Sequence, residues 1–314
     1  MRVAAIDIGT VSSRLLIADA DADGVHPLVR RSAITDLGEG VDATGRLSED
    51  AIDRTVEQVR AYRRLVDEAS CDTVVAIATS ASRDASNARV FVDRLRDVGV
   101  ELSVIEGSRE AELSFLGAAN DFRGERILFC DIGGGSTELA YGAVGGASDA
   151  LVPEVALEAF RSFDIGARRM TERFLRCDPP APEELSAARR WAEDVLSPFF
   201  EGRAIRAQRL VAVAGTPTSV VAVRDGLVPY DSSRVHKACV SHEEFSAVAA
   251  RMRSLPLAQR AAVPGIQPKR AGIFPAGALI LDVVMGLAGA SSFTASESDI
   301  LMGIVLDAAR AAGE

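Results

Sequence analysis

Residues 131–139 read Asp-Ile-Gly-Gly-Gly-Ser-Thr-Glu-Leu. The apolar run before them, Ile127 to Cys130, has the length and residue types of a buried strand. Ser136 to Tyr141 also has strand character, which places the three glycines in a turn between two strands. Glycine lets a backbone turn tightly, so several N–H groups can point at one anion. The stretch therefore predicts a strand–turn–strand unit with an anion-binding turn.

The polar side chains beside this turn are suited to a cation as well. Asp131 and Glu138 supply carboxylates, and Ser136 and Thr137 supply hydroxyls. A phosphate next to two carboxylates needs a bridging cation because like charges repel, and Mg²⁺ readily binds carboxylate and phosphate oxygens together. The alternative is a glycine-rich hairpin turn beside an exposed acid, with no ligand.

The same pattern occurs near the N-terminus. Residues 2–16 read RVAAIDIGTVSSRLL and residues 126–140 read RILFCDIGGGSTELA, at a constant offset of 124. Asp7 thus corresponds to Asp131, and Ser12 to Ser136. We predict a duplicated α/β fold whose two turns face each other across a cleft between domains, which is a preferred place for a ligand.

Composition limits the classes of partner. The chain has 314 residues, of which 48% are hydrophobic and 25% charged, as in soluble proteins with one or two domains. Its net charge of −10 argues against nucleic acid or an anionic membrane as a partner, so a polyanionic ligand needs a local basic lining.

The sequence also predicts a cytoplasmic location. A charged residue follows Met1 too closely for a signal peptide, and the most apolar segment, Ala276 to Ala290, is too short to span a bilayer. The four cysteines form no Cys-x-x-Cys pair, which indicates reduced thiols and no zinc site. The three histidines show no metal-ligand or triad spacing.

Strands and helices alternate along the first half, as in α/β proteins. Ser48 is predicted to cap a helix that ends near Ala69. A second predicted cap, Ser108, places Glu110 in the first turn of a helix that follows a strand. Ligands of α/β sheets lie at the carboxyl ends of strands, which makes Glu110 a candidate functional residue. Ordinary complementation of the helix dipole is the alternative explanation.

Two segments of the second half carry further signals. Gly215 to Ser219 enters a helix directly after a strand, where free N–H groups can meet a phosphate. Pro268 is predicted to open a long apolar helix, with Lys269 and Arg270 in its first turn. Basic residues there oppose the helix dipole, so a functional reason for them is indicated.

Seven motifs in order resemble the exopolyphosphatase and guanosine pentaphosphate phosphohydrolase (Ppx/GppA) family, in its short form. The resemblance runs from residue 1 to about residue 305 and implies two ribonuclease-H-like domains of the actin, sugar-kinase and chaperone ATPase superfamily, with an interdomain cleft. The expected domains are residues 1–119 and 120–298, with a closing helix at 299–314 that packs back on the first. The motifs are IDIGTVSSRLL (6–16), ATSASRDASN (78–87), EGSREAELSFLG (106–117), DIGGGSTEL (131–139), GTPTSVVA (215–222), YDSSRVH (230–236) and PKRAGIFPAGALIL (268–281).

The resemblance also implies roles for particular residues. Glu110 is the expected catalytic base, and Asp131 the second catalytic residue. The expected metal ligands are Asp131, Glu138 and Asp7, with Mg²⁺ as the ion and Mn²⁺ as the alternative. The loop of Gly133, Gly134, Gly135 and Ser136 matches the family's phosphate-binding loop. Beyond the resemblance, the sequence offers these further candidate phosphate-binding residues: Thr137, Arg83, Arg168, Thr10, Ser12, Lys269 and Arg270.

Some positions depart from the family pattern. Val11 replaces an asparagine of the first turn, Lys237 replaces a glycine, and residues 296–303 (SESDILMG) lack the arginine of the family's last motif. These departures affect substrate choice more than the reaction.

We expect Mg²⁺-dependent hydrolysis of the terminal phosphate of inorganic polyphosphate, with short chains preferred. Three alternatives stay open: a guanosine pentaphosphate 5′-phosphohydrolase, a kinase of the same superfamily, and an inactive sensor of polyphosphate or an alarmone. A P-loop NTPase is disfavoured because the Walker signature is absent. A homodimer is left open as the assembly.

Overall fold

A computed structural model describes residues 1–146 and 150–313. The chain divides into two compact units. Unit 1 comprises Met1–Gly124, Val144–Ala156 and Ser298–Glu314, and unit 2 comprises Glu125–Ala143 and Leu157–Glu297.

The described strands are β1 (Arg2–Ile8), β2 (Ser12–Asp21), β3 (Gly24–Ile34), β4 (Thr73–Ala78), β5 (Leu102–Val104), β6 (Arg126–Ile132), β7 (Thr137–Val144), β8 (Val155–Phe163), β9 (Arg209–Val213), β10 (Cys239–Ser241) and β11 (Ser292–Ala295).

The described helices are α1 (Val41–Thr44), α2 (Glu49–Ala69), α3 (Ser80–Asp84), α4 (Ala88–Asp97), α5 (Gly107–Ala119), α6 (Ala167–Phe174), α7 (Pro182–Phe200), α8 (Gly215–Arg224), α9 (Ser232–Val235), α10 (His242–Ser254), α11 (Leu257–Ala261), α12 (Phe274–Ala288) and α13 (Ile300–Ala312), with a 3₁₀ turn at Pro268–Arg270.

The two sheets repeat one topology. The first has the order β3-β2-β1-β4-β5, with β1 antiparallel to β2 and parallel to β4. The second has the order β10-β11-β9-β6-β7-β8, with β6 antiparallel to β7 and parallel to β9. The central strands β1 and β6 are buried nearly throughout, as their apolar runs predict. The predicted duplicated, ribonuclease-H-like α/β fold is confirmed.

The turns between the paired strands are equivalent in hydrogen bonding. The Gly9 N–H donates to the Ser12 carbonyl at 2.9 Å, and the Gly133 N–H donates to the Ser136 carbonyl at 3.0 Å. Both bonds close a turn directly after the Asp-Ile-Gly sequence. The offset of 124 therefore holds in the backbone as well as in the sequence.

Predicted helix starts have mixed outcomes. Ser48 caps α2, its hydroxyl accepting from the Ala51 N–H at 3.2 Å. The prediction for Ser108 is wrong, since α5 begins at Gly107 with Glu106 as its extended N-cap. The Ile105 N–H still donates to the Ala78 carbonyl of the neighbouring strand, and the helix starts directly after it, two residues earlier than expected. Glu110 still lies in the first turn.

The predicted helix start at Pro268 is also wrong. Pro268–Arg270 forms a separate 3₁₀ turn, and α12 begins only at Phe274. Pro275 fits the first turn of α12, where a missing N–H breaks no helical bond. Lys269 and Arg270 therefore do not oppose the dipole of the long helix, and that argument for their function no longer holds.

The segment Val144–Ala156 lies in unit 1, although residues 120–298 were expected to form one domain. The Gly124 N–H donates to the Val144 carbonyl at 3.2 Å, and the Gly145 N–H donates to the Glu154 carbonyl at 2.8 Å. Leu151 joins the apolar cluster that contains the buried face of α13. These contacts hold the described part of the segment against unit 1.

Helices α5 and α13 of unit 1 cross with their backbones in contact. A Cβ atom on Gly117 would lie 2.0 Å from the Asp299 carbonyl oxygen, and one on Gly303 would lie 1.8 Å from the Leu113 carbonyl oxygen. Real Cβ atoms do not approach oxygen this closely, so glycine is required at both positions.

The four cysteines are free thiols, as predicted. Separately, no helix in the described part of the chain has both the length and the apolar character that crossing a membrane requires.

Gly303→Ala should lower the free energy of unfolding by about 1–3 kcal/mol, because the added methyl overpacks the crossing with α5. Gly286→Ala is the matched control, since Gly286 is a helical glycine of α12 with nothing within 4 Å of a built Cβ. The control should gain up to about 1 kcal/mol from helix propensity. Urea unfolding of both variants measures the difference, and equal effects would contradict the packing argument.

Candidate active site

The carbonyl groups of the glycine turn in unit 2 accept hydrogen bonds that hold the turn in place. The Ala167 N–H donates to the Gly133 carbonyl at 2.9 Å, and the Arg168 N–H donates to the Gly134 carbonyl at 2.8 Å. The Nε–H of Arg169 donates to the Gly135 carbonyl at 2.8 Å. All three donors belong to the first turn of α6.

This arrangement leaves the donors of the turn available. Within residues 1–146 and 150–313, the N–H groups of Gly134, Gly135 and Ser136 have no protein acceptor. Successive unpaired N–H groups in a glycine turn form an anion-binding nest. Gly166 fits the turn tightly, since a Cβ there would lie 2.4 Å from the Gly134 carbonyl oxygen.

The first turn, in unit 1, is held in the same way. The Gly38 N–H donates to the Thr10 carbonyl at 2.8 Å, and the Asp36 N–H donates to the Val11 carbonyl at 2.9 Å. Gly38 packs on the Thr10 side chain as Gly166 packs on Gly134. Thr10 and Ser12 thus lie on a turn that is built like the glycine turn.

Two buried carboxylates lie next to the glycine turn. Asp131 and Glu138 are directly opposite each other on β6 and β7, so their side chains share one face of the sheet. Asp131 is 7% exposed and Glu138 is 1% exposed. Glu138 accepts a hydrogen bond from the Ser162 hydroxyl at 2.7 Å. Burial, together with these two carboxylates, raises the pKa of the adjacent Cys130 thiol well above its usual value.

The equivalent pair in unit 1 has a different composition. Asp7 lies opposite Arg14, whose Nε and second terminal nitrogen donate to one Asp7 oxygen at 2.9 and 2.6 Å. Arg14 also donates to Asp299. Burial raises the pKa of Asp7, Arg14 opposes this effect, and Asp299 adds to it. The protein therefore supplies the counter-charge of Asp7 itself.

A divalent cation fits the pair in unit 2. The position of Arg14 is taken there by Glu138, so two buried carboxylates adjoin where unit 1 has a carboxylate and a guanidinium. Hard oxygen donors beside a phosphate nest are the donor set that Mg²⁺ prefers, and Mg²⁺ commonly uses only one or two carboxylates with phosphate oxygens and water. Among the described residues no group of three or more His, Cys, Asp or Glu side chains is placed to hold a metal.

Glu110 is buried and contacts Arg83. The carboxylate is 8% exposed, and its Oε2 lies 3.4 Å from an Arg83 terminal nitrogen. The same nitrogen donates to the Ile105 carbonyl at 3.0 Å. Arg83, expected as a phosphate ligand, thus also fixes the orientation of the expected base.

The remaining residues of unit 2 that were predicted to bind phosphate are basic and lie at two places. Arg168 lies at the start of α6, beside the glycine turn, and contacts Glu172 at 3.4 Å. Arg270 lies against the start of α8, where a Cβ on Gly215 would lie 1.4 Å from its terminal nitrogen. Lys269 is exposed on the same 3₁₀ turn as Arg270.

Thr137 has a structural contact. Its hydroxyl donates to the Ile165 carbonyl at 2.6 Å and is fully buried. Its neighbour Ser136 is also buried, at the end of the turn.

Sequence reasoning missed three residues of this region. Arg14 could have been found, because the offset of 124 aligns it with Glu138 and so places it opposite Asp7. Asp299 and Ser162 come from distant parts of the chain, and no local pattern marks their contacts with Arg14 and Glu138.

Two ribonuclease-H-like units, a glycine turn with unpaired N–H groups and a pair of buried carboxylates beside that turn are features of a phosphate-handling protein. The profile of the Ppx/GppA phosphatase family matches residues 16–310. The chain belongs to the Ppx/GppA phosphatase family.

Individual relatives agree with this assignment. Exopolyphosphatase 2 of Mycobacterium tuberculosis is 38% identical over 98% of each chain. The crystal structure of an exopolyphosphatase-like protein has a TM-score of 0.91 and 35% identity, covering 100% of this chain and 99% of that one. The crystal structure of an exopolyphosphatase from Cytophaga hutchinsonii has a TM-score of 0.87 and 27% identity, covering 98% of each chain.

Asp131→Asn and Glu138→Gln should each weaken Mg²⁺ binding by on the order of tenfold or more, since each removes one of two carboxylate charges. Isothermal titration calorimetry, in the presence of phosphate, measures the change. Asp164→Asn, an exposed acid just after β8, is the control and should bind normally. Asp7→Asn should change Mg²⁺ affinity less than either site variant. An equal loss would place Asp7 among the metal ligands.

Proposed function

We propose that this chain is an exopolyphosphatase that hydrolyses the terminal phosphate of inorganic polyphosphate with the help of a divalent cation. The observation that carries the proposal is the buried Asp131–Glu138 pair beside the glycine turn, where the other half of the duplication has Asp7–Arg14. The names of the relatives support the same substrate.

The glycine turn holds the terminal phosphoryl group with the N–H groups of Gly134, Gly135 and Ser136. Asp131 and Glu138 hold Mg²⁺, or Mn²⁺ in its place, which when bound neutralises charge on the phosphate oxygens. Asp7 is left out of this set because Arg14 already compensates it.

Glu110 takes a proton from the attacking water. The water oxygen then forms a bond to the terminal phosphorus as the bond from that phosphorus to the bridging oxygen breaks. The bridging oxygen leaves with the shortened chain. The main role of Arg83 is to keep the Glu110 carboxylate in one orientation.

Other side chains bind phosphate further along the chain. We assign this role to Arg168, beside the glycine turn, and to Arg270 with Lys269. Thr10 and Ser12, on the turn between β1 and β2, contribute further hydrogen-bond donors to phosphate. Thr137 contributes to the turn's shape, since its hydroxyl is committed to Ile165.

A specific observation favours guanosine pentaphosphate as a second candidate substrate. The glycine turn and Gly215–Ser219 contain no aromatic residue, but the Tyr230 hydroxyl lies within hydrogen-bonding distance of Thr218 in unit 2. Tyr230 is half-exposed, and its hydroxyl donates to Glu297. Burial and Glu297 raise the pKa of Tyr230, which therefore stays a neutral donor. An aromatic ring can stack on a purine, and a carboxylate next to the ring can accept hydrogen bonds from the N–H groups of the purine.

Glu110→Gln should keep the fold and polyphosphate binding but lose about 10²–10⁴-fold in rate, the usual worth of a positioned general base. Glu112→Gln is the matched control, because Glu112 lies on the same helix and is exposed. Phosphate release and binding by calorimetry are measured for both variants. Activity within about threefold of wild type would refute the base assignment. A wild-type protein that binds polyphosphate without releasing phosphate would instead be the inactive sensor.

Short polyphosphate should have a higher specificity constant than long polyphosphate or guanosine pentaphosphate. A long polyanion gains affinity from many basic contacts, and this chain has a net charge of −10 and only two lysines. Phosphate release is compared for chains of a few phosphates, chains of hundreds, and guanosine pentaphosphate, in wild type and Tyr230→Ala. A constant that rises with chain length contradicts the expectation. A nucleotide preference that Tyr230→Ala abolishes would establish the second candidate.

A further inference from the structure

A charged network in unit 1 joins the paired strands β1 and β2 to the start of α13, 285 positions further along the chain. Arg14 of β2 donates to Asp7 of β1 through two nitrogens and to Asp299, the N-cap of α13, through the third. The Arg14 and Asp299 side chains are 18% and 10% exposed, and that of Asp7 is 4% exposed. Ion pairs of such burial are held in fixed geometry, because a lost partner leaves a buried charge uncompensated.

Asp299 has a second contact, through its backbone. A Cβ atom on Gly117 of α5 would lie 2.0 Å from the Asp299 carbonyl oxygen, so α5 packs directly against the backbone of Asp299. The side chain of Asp299 meanwhile accepts from the Leu301 N–H at 3.1 Å and so caps α13. One residue thus contacts the β1–β2 pair with its side chain and α5 with its backbone.

Helix α5 carries Glu110. The contact at Gly117 and the one between Gly303 and Leu113 hold α5 in place along two turns after Glu110. A shift of α13 relative to β1 and β2 would therefore be transmitted to Glu110, because these backbone contacts leave no gap to absorb it.

We propose that Asp299 is a positioning residue that uses its ion pair with Arg14 to set the place of α5, and with it Glu110, relative to the first turn. The inference rests on the proposed role of Glu110. Asp299 does not touch the substrate or the reacting atoms in this proposal.

Asp299→Asn isolates the ion pair, because asparagine caps a helix about as well as aspartate but carries no charge for Arg14. Asp307→Asn is the matched control. Asp307 also joins α13 to α5, through Arg109, but its ion pairs are with Arg109 and Arg310 and it is more exposed than Asp299.

The expected effects differ between the two variants. Asp299→Asn should speed hydrogen exchange of the α5 amides at 107–113 by about tenfold, as for loss of one hydrogen bond to a charged group. It should lower kcat by about tenfold and leave KM unchanged, because a small misplacement of the base affects the chemical step. Asp307→Asn should change each value by less than about twofold.

A double variant tests whether the effect passes through Glu110. In a Glu110→Gln background, Asp299→Asn should cause no further loss of kcat, since no base remains to be misplaced. A full additional loss, or a rise in KM with kcat unchanged, would overturn the proposal. If Asp299→Asn does not fold, Arg14→Lys replaces it, because an ammonium group cannot bridge both carboxylates as the guanidinium does.

Hydrogen exchange separates this inference from the proposed function. A wild-type protein without phosphatase activity would refute the function, whereas exchange in α5 still decides whether Asp299 positions that helix. Exchange that is no faster in Asp299→Asn than in Asp307→Asn overturns the inference, whatever the activity.

Discussion

The physical constraint behind the site is the burial of two like charges side by side. Asp131 and Glu138 are nearly inaccessible to water, and each would be costly to ionise alone in such a place. Removing both charges from water is favourable only when a positive charge joins them. The strand pairing, the glycine turn and the first turn of α6 all serve to keep this pair and a phosphate nest together.

The duplication provides an internal comparison for this constraint. Five strands of each half have the same order, and both halves have the same Asp-Ile-Gly turn and the same closing hydrogen bond. Among the positions at which they differ, one faces the buried aspartate on the paired strand: unit 1 has Arg14 there and unit 2 has Glu138. Arg14 supplies a guanidinium to the first carboxylate, whereas the second pair is where we propose that a divalent cation binds.

The sequence predicted the repeated framework well, because strand pairing and glycine turns depend on local patterns. The positions of Asp131, Glu138 and Glu110 followed from these local rules. The start of α5 and the separate 3₁₀ turn that carries Lys269 and Arg270 were missed, because caps and 3₁₀ turns depend on tertiary contacts that no short window contains. The Arg14–Asp299 pair was missed for the same reason, since 285 positions separate its members.

The crossing of α5 and α13 has a consequence for the order in which the chain folds. The apolar faces of β1, β2 and α5 are covered by α13, whose residues follow those of unit 2 in the chain. On the ribosome, unit 1 must therefore wait with an incomplete core, while nearly all of unit 2 has already emerged. Domains generally fold as units when their chain is available, so unit 2 is expected to be native first although it comes second in sequence. During that interval the uncovered sheet of the first unit is the part of the nascent protein that most needs protection from aggregation.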